Sequence, residues 1–277
     1  MLFAVCLSMM MVWTGCSDKK TETADSTSVD TAQAVDTVAV TDTIEEIISK
    51  QPMPKAADEL FDDFMFNFAA NSKLQFSRIK FPLKVVDGES VAYVKKKQWK
   101  MEHFFMEQGY YTLIFDSEKQ MDVVKDTSIN NVVVEKVNLV EEKVEKYMFD
   151  RIGGRWMLTS IKTNDMVHNT NASFLAFYQR FATDSEFQLE SLRNPVEFTG
   201  PDPDDDFSTM TGEIAPETWP AFAPELPSGA IYNIMYGQKY SEGNQKIFVM
   251  RGISNGMEIR LTFKRIDGVW KLVSLSE

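Results

Sequence analysis

Histidine and cysteine are nearly missing from this chain of 277 residues. The histidines are His103 and His168, and the cysteines are Cys6 and Cys16, close to the N-terminus. Everything beyond Cys16 therefore has no disulfide, no thiolate nucleophile and no cysteine-based metal site. Two histidines cannot build a zinc site on several imidazoles. Positive charge is also short, with a formal net charge of -12. Phosphate binding needs Lys and Arg gathered on one face, so nucleic acid is excluded as a partner, and so is electrostatic attachment to an anionic membrane surface. The one sizeable basic run, Lys95 to Lys97 followed by Lys100, reads as a solvated strand or helix end. No Ser-His-Asp order, phosphate-binding glycine loop or dinucleotide fingerprint is present, and no cofactor is expected. What the chain does have is apolar mass. Hydrophobic residues make up 44% and aromatics 12%, enough to fill one large core or two ordinary ones.

The first residues, MLFAVCLSMMMVWTGCSDKK, form an apolar run that stops at Gly15-Cys16 and turns polar at once. The run is too short for a comfortable membrane span of about 20 residues and suits the core of a secretory signal. Thr14-Gly15-Cys16 resembles a bacterial lipobox, with Trp13 where the pattern usually carries Leu, and with no Lys or Arg ahead of the run. The second departure points to a start codon a few residues upstream. The resemblance implies a signal over residues 1–16, lipidation at Cys16 and an outer-membrane lipoprotein of the cell envelope. Periplasmic and surface-facing orientations both stay open. The membrane is then a partner through the N-terminal lipid only.

Residues 17–53 are Thr, Asp, Ser, Ala and Val without an aromatic residue or a period, which reads as a disordered tether. Within it Asp25-Ser26, Asp30-Thr31, Asp36-Thr37 and Asp42-Thr43 resemble the Asp-Ser/Thr-apolar acceptor sites of the Bacteroidetes O-glycosylation system. The resemblance implies Ser26, Thr31, Thr37 and Thr43 as acceptors.

The remainder is written twice. FDRIGGRWMLTSI from Phe149 matches FKRIDGVWKLVSL from Phe263, with Phe149, Arg151, Ile152, Gly154, Trp156, Leu158 and Ser160 on Phe263, Arg265, Ile266, Gly268, Trp270, Leu272 and Ser274. Upstream, Phe61, Phe64, Phe68, Ser72, Gln75 and Pro82 fall on Phe174, Phe177, Phe181, Ser185, Gln188 and Pro195, and Trp99 falls near Trp219. This predicts a tandem duplication over 54–165 and 169–277. Each copy opens with a helix (Ala57, Leu60, Phe61, Phe64, Phe68; Phe174, Phe177, Tyr178, Phe181), and NTNAS from Asn169 supplies cap residues for the second. A less regular segment follows the proline. Strands come next: YYTLIF, VVVEKVNL and EKYMFDRI, then AIYNIMY, KIFVMRGI and MEIRLTFKRI. Gly153-Gly154 and Asp267-Gly268 read as two-residue hairpin turns, with Trp156 and Trp270 in the core of the closing strands.

A helix, an irregular stretch and a closing antiparallel sheet resemble the nuclear-transport-factor-2-like cone, shared by SnoaL-like and ketosteroid-isomerase-like enzymes; a cystatin-like wrapped sheet is the nearest rival. With the lipobox, the chain resembles a Bacteroidetes lipoprotein family of unknown function. The expected fold is α+β, two tandem cones, each a helix on a curved antiparallel sheet, in a monomer whose halves pair internally. Catalytic cones work with an Asp base or a His-Asp pair. Here His103 has no partner by spacing and reads as part of a packed helix, His168 as an exposed linker residue, and Asp63, Asp116 and Asp150 have no assignable pocket. Asp202, Asp204, Asp206 and Glu213 stand at calcium-loop spacing, but Phe207 occupies the turn position that needs Gly, so an acidic surface loop is the stronger reading. The Pro-rich APETWPAFAPELPSG reads as a lid over the second cone or a contact surface. The function expected is a non-enzymatic binding or interaction module for a small apolar ligand or an envelope protein. The alternative is a cone enzyme using a pocket carboxylate or Tyr.

Overall fold

A buried stripe of Phe61, Phe64, Met65, Phe68 and Ala69 makes the first helix, α1 (Phe61–Ala70). In the computed structural model the described residues are 58–238 and 242–277; they belong to one unit, Thr41–Glu277. Asn71 ends α1 and starts α2 (Ser72–Ser77), its side chain accepting from Leu74 N. The same construction recurs in α4 (Ala172–Thr183), with Phe174, Leu175, Tyr178 and Phe181 buried, followed by Asp184, which caps α5 (Ser185–Glu190) by accepting from Phe187 N. Between them runs only the single turn α3 (Glu118–Met121). Asn171 does stand at the N-cap of α4, but its side chain makes no cap bond. It accepts instead from Lys246 Nζ at 2.7 Å.

The strands are β1 (Ile79–Asp87), β2 (Ser90–Val94), β3 (Tyr110–Phe115), β4 (Asn131–Asn138), β5 (Lys143–Ile152), β6 (Arg155–Asp165), β7 (Leu192–Asp202), β8 (Asp205–Ile214), β9 (Ala230–Met235), β10 (Gln245–Gly252), β11 (Glu258–Ile266) and β12 (Val269–Ser276). Where the sequence predicts a separate antiparallel sheet for each half, all twelve strands form one sheet, in the order β2-β1-β6-β5-β4-β9-β3-β10-β11-β12-β7-β8. It is mixed, because β1 runs parallel to β6 and β7 parallel to β12. The physical cause of the merger is at the centre. β3 leaves the N-terminal half to pair with β10, and β9 leaves the C-terminal half to pair with β4. The order reads the same from either edge when β1–β6 are matched with β7–β12.

The central strands are covered on both faces. Along β10, Ile247 and Val249 belong to the apolar cluster around α1, while Phe248 and Met250 belong to the cluster around α4; successive side chains point to opposite faces, so each helix covers one of them. Strands β1, β2, β7 and β8 are not legible as such in the sequence. Residues around Pro82 and Pro195 read as irregular but lie in β1 and β7, and the acidic segment from Asp202 to Glu213 lies almost wholly in the β7–β8 hairpin. Proline cannot donate to a ladder. Each one sits where the register breaks, between Ile79 and Lys84 opposite β6, and between Leu192 and Glu197 opposite β12. The two hairpin turns form as read, with φ of 57° and 76° at Gly153 and Gly154 and of 52° and 82° at Asp267 and Gly268. Trp156 and Trp270 are buried.

Matched positions also make matched contacts. Gln75 Nε2 donates to Phe68 O at 3.0 Å and Oε1 accepts from Trp99 Nε1 at 2.8 Å; Gln188 does the same with Phe181 O at 3.0 Å and Trp219 Nε1 at 2.8 Å. Gln75 adds Glu102 O and Glu102 N, which uses both of its donors and both acceptor lone pairs. Gln75→Leu should therefore cost about 2 kcal/mol in urea unfolding and Gln188→Leu about 1 kcal/mol, since more buried partners are orphaned at Gln75. Equal costs would contradict this account.

A polar layer crosses the sheet on the α4 side. Glu135 on β4 accepts from Lys146 Nζ at 3.0 Å, Asn169 Nδ2 at 2.8 Å and Asn233 Nδ2 at 2.9 Å. Lys246 on β10 reaches Asp116 at 2.5 Å as well as Asn171. The two asparagines thus hold the start of α4 onto strands from both halves.

Candidate functional site

The Pro-rich segment after β8 is fixed at three places. Trp219 is buried against Gln188, Pro227 O accepts from Tyr178 Oη at 3.1 Å, and Gly229 O accepts from Leu139 N at 2.9 Å. Glu225 and Leu226, between these anchors, form one rim of an open groove of about 560 Å3. Tyr110 from β3, Met250 from β10, and Met257 and Ile259 around the start of β11 contribute to the rest of its wall. The groove is therefore a product of the strand exchange, because Tyr110 reaches it only by crossing into the C-terminal half. Burial, and then the charge of Glu225, push the Tyr110 phenol above its ordinary value. Tyr178 lies deeper and is pushed well above by burial.

The N-terminal half differs at the matching positions. Lys136 faces Glu145 across β4–β5 where Met250 faces Ile259 across β10–β11. Phe104 sits edge-on to Tyr147 there at 4.9 Å, and Lys136 Nζ lies 5.6 Å from the Tyr232 ring centre. Burial raises the Glu145 carboxyl despite its hydrogen bond to Tyr147.

A second cluster joins the halves on the α1 side. Asp62, in the first turn of α1, accepts from Tyr111 Oη at 2.9 Å and from Tyr236 Oη. Tyr111 belongs to β3 and Tyr236 follows β9, so both exchanged strands meet at this one carboxylate. Burial pushes the Asp62 carboxyl up, outweighing the two phenol hydrogen bonds and the Arg251 charge that act to lower it. Arg251 pairs with Glu258 at 2.6 Å, and Glu258 also takes Arg260. Asp62 is not among the residues to which the sequence points. A signal existed, because Asp62 precedes the buried Met65 and Ala69 on one helical column, whereas Asp63 faces solvent.

The residues singled out from sequence fall elsewhere. His103 is exposed, just ahead of a run of hydrogen-bonded turns and not in a helix, although Phe104 and Phe105 beside it are buried. His168 is exposed in a 3₁₀ turn before α4. Asp116 pairs with Lys246, and Asp150 accepts from Thr159 Oγ1 at 2.7 Å. The calcium spacing does not survive folding: Asp202 pairs with Asp205 at the hairpin turn, Asp204 lies in the turn, Asp206 is on β8, and Glu213 pairs with Glu197 near the far end. At about 3.3 Å per residue, Glu213 is on the order of 25 Å from the turn. Cys16, Ser26, Thr31, Thr37 and Thr43 lie outside the described residues.

No curated protein shows significant similarity to the chain. Among solved structures it is similar to an NTF2-like protein from Bacteroides fragilis, with 42% sequence identity and a TM-score of 0.75, covering 81% of this chain and 98% of that one. That likeness agrees with an α+β fold of one large sheet and few helices. Residues 40–277 match the family described as a domain of unknown function, DUF4348, and the chain belongs to that family.

Proposed function

We propose that the protein is a membrane-anchored, extracytoplasmic binding module whose ligand site is the groove between Tyr110 and the Glu225–Gly229 segment. The groove carries this reading. Its rim is pinned at both ends, its wall combines both halves of the chain, and binding sites favour concave, largely preformed apolar surfaces with a few polar groups. The anchor would be a lipid on Cys16 of an outer-membrane lipoprotein, with residues 17–53 as a tether glycosylated at Ser26, Thr31, Thr37 and Thr43; the lipobox-like Thr14-Gly15-Cys16 and the Asp-Ser/Thr pairs support this. The scaffold is a duplicated NTF2-like unit, copies at 54–165 and 169–277, paired internally as a pseudo-dimer by exchange of β3 and β9. The palindromic strand order and the paired Gln–Trp contacts support the duplication.

Native mass spectrometry of protein purified from its host tests these points together. The expected result is a lipid on the mature chain, glycans on the tether and a co-purified ligand that Tyr110→Ala loses. A chain with no lipid refutes the anchor, and a ligand retained by Tyr110→Ala refutes the groove.

One observation favours a second reading, a cone enzyme. Asp62 is a carboxyl between two phenols whose ionisation burial opposes, and a perturbed acid of that kind is a candidate proton donor or acceptor. Turnover abolished by Asp62→Asn with ligand binding intact would establish it in place of the binding module.

A further inference from the structure

We propose that the Tyr110–Glu225 groove selects small organic cations with an apolar body, of the alkylammonium class. The inference rests on the groove being a binding site and adds the charge of its occupant. Among the described residues that line it, Glu225 supplies the one carboxylate, and no Lys, Arg or His is among them. Neighbouring cations are turned away. Arg251 follows Met250 in β10 but projects to the opposite face, where it is paired with Glu258 at 2.6 Å, and Arg260 is held by the same carboxylate. Gln108 donates its amide N–H to Tyr110 O at 2.8 Å, leaving the amide oxygen as an acceptor. The polar side chains are thus a carboxylate, the Tyr110 phenol and ring, an amide and the Ser228 hydroxyl, and for a cation the charge, the cation–π attraction and the acceptor lone pairs act in the same direction. The opposite wall, Met250, Met257 and Ile259, is apolar and adaptable, the thioethers yielding to irregular aliphatic shapes. An anion would meet Glu225 without a counter-charge. A neutral alcohol would gain the apolar wall and a hydrogen bond but no attraction between charges.

The test compares octylammonium, 1-octanol and octanoate on the full chain carrying ¹³C-labelled methionine methyls, read by NMR, with Met250→Leu and Met257→Leu used to assign the two signals. Octylammonium should move both methyls at about tenfold lower concentration than 1-octanol, and octanoate should be the weakest. Added salt should narrow the gap. Glu225→Gln should bring octylammonium to the level of 1-octanol and leave 1-octanol unchanged. Glu225 is exposed on a loop, so the variant is expected to fold. Equal binding of all three probes, or a preference that persists in Glu225→Gln, overturns the cation assignment and leaves the groove standing. No movement of either methyl by any probe overturns the assignment and the groove together.

Discussion

Glu135→Ala should lower the free energy of unfolding by about 4 kcal/mol, because breaking a buried, hydrogen-bonded charge cluster strands every partner. The Glu135 side chain is 1% exposed, and that of Lys146 is 18% exposed. Truncation leaves an ammonium with little access to water, and it removes the acceptor from the amides of Asn169 and Asn233. The carboxylate also joins pieces far apart in sequence: β4, β5, the exchanged β9 and the segment that opens α4. Its loss should be felt as weaker cohesion between the halves, not as a local defect. In urea unfolding the midpoint should fall at constant slope, and the melting temperature by roughly 10 °C for a domain of this size. The double variant Glu135→Ala, Lys146→Met should recover part of the loss, because removing both charges spares the uncompensated ammonium. A single-variant cost below about 1 kcal/mol, or a double variant worse than the sum of its parts, would show that the layer is not what joins the halves.

Local pattern carried a large part of this architecture. Leu261 and Phe263 alternating with Arg260 and Lys264 define β11, and Asp267-Gly268 defines its turn, because strand period and positive φ are set by residues next to one another. The exchange of β3 and β9 is a different kind of information. YYTLIF is the same near-continuous apolar run whichever half it joins; what commits it is pairing with β10 and a bond from Thr112 Oγ1 to Tyr232 O, remote in sequence. β1 and β7 were hidden because Pro82 and Pro195 argue against a strand unless the register break opposite them is known. The groove was half legible. Trp219 marks the Pro-rich segment as anchored, but nothing in the sequence places Tyr110 across from Glu225. Asp62 was missed for the same reason, since its phenols come from Tyr111 and Tyr236 on the two strands that change places.

Asp62 should also leave a signature in the pH dependence of stability, opposite in sign to that of its near neighbour Asp58. Burial raises the folded-state value of Asp62 above 3.8, against the opposing hydrogen bonds from Tyr236 and Tyr111. A raised value means that the unfolded chain releases the proton first. The stability contributed by the neutral acid is complete below 3.8 and drains away as pH climbs through the folded value. Asp58 is also penalised by burial, but hydrogen bonds from Arg78 and Trp156 N and the charges of Arg78 and Arg151 prevail, so its value is lowered and its contribution is lost on acidification instead. Asp62→Asn, measured against the parent by urea unfolding from pH 3 to pH 8, should gain on it by up to about 1.4 kcal/mol per pH unit inside that window and run parallel outside it. Asp58→Asn should show its divergence at the acid end. Asp62→Leu should cost about 3 kcal/mol at pH 4, where the carboxyl would otherwise satisfy two buried phenols. Curves for Asp62→Asn that stay parallel to the parent over the whole range would mean that the carboxyl ionises as it does in water, and that the meeting point of α1 with the two exchanged strands is not desolvated.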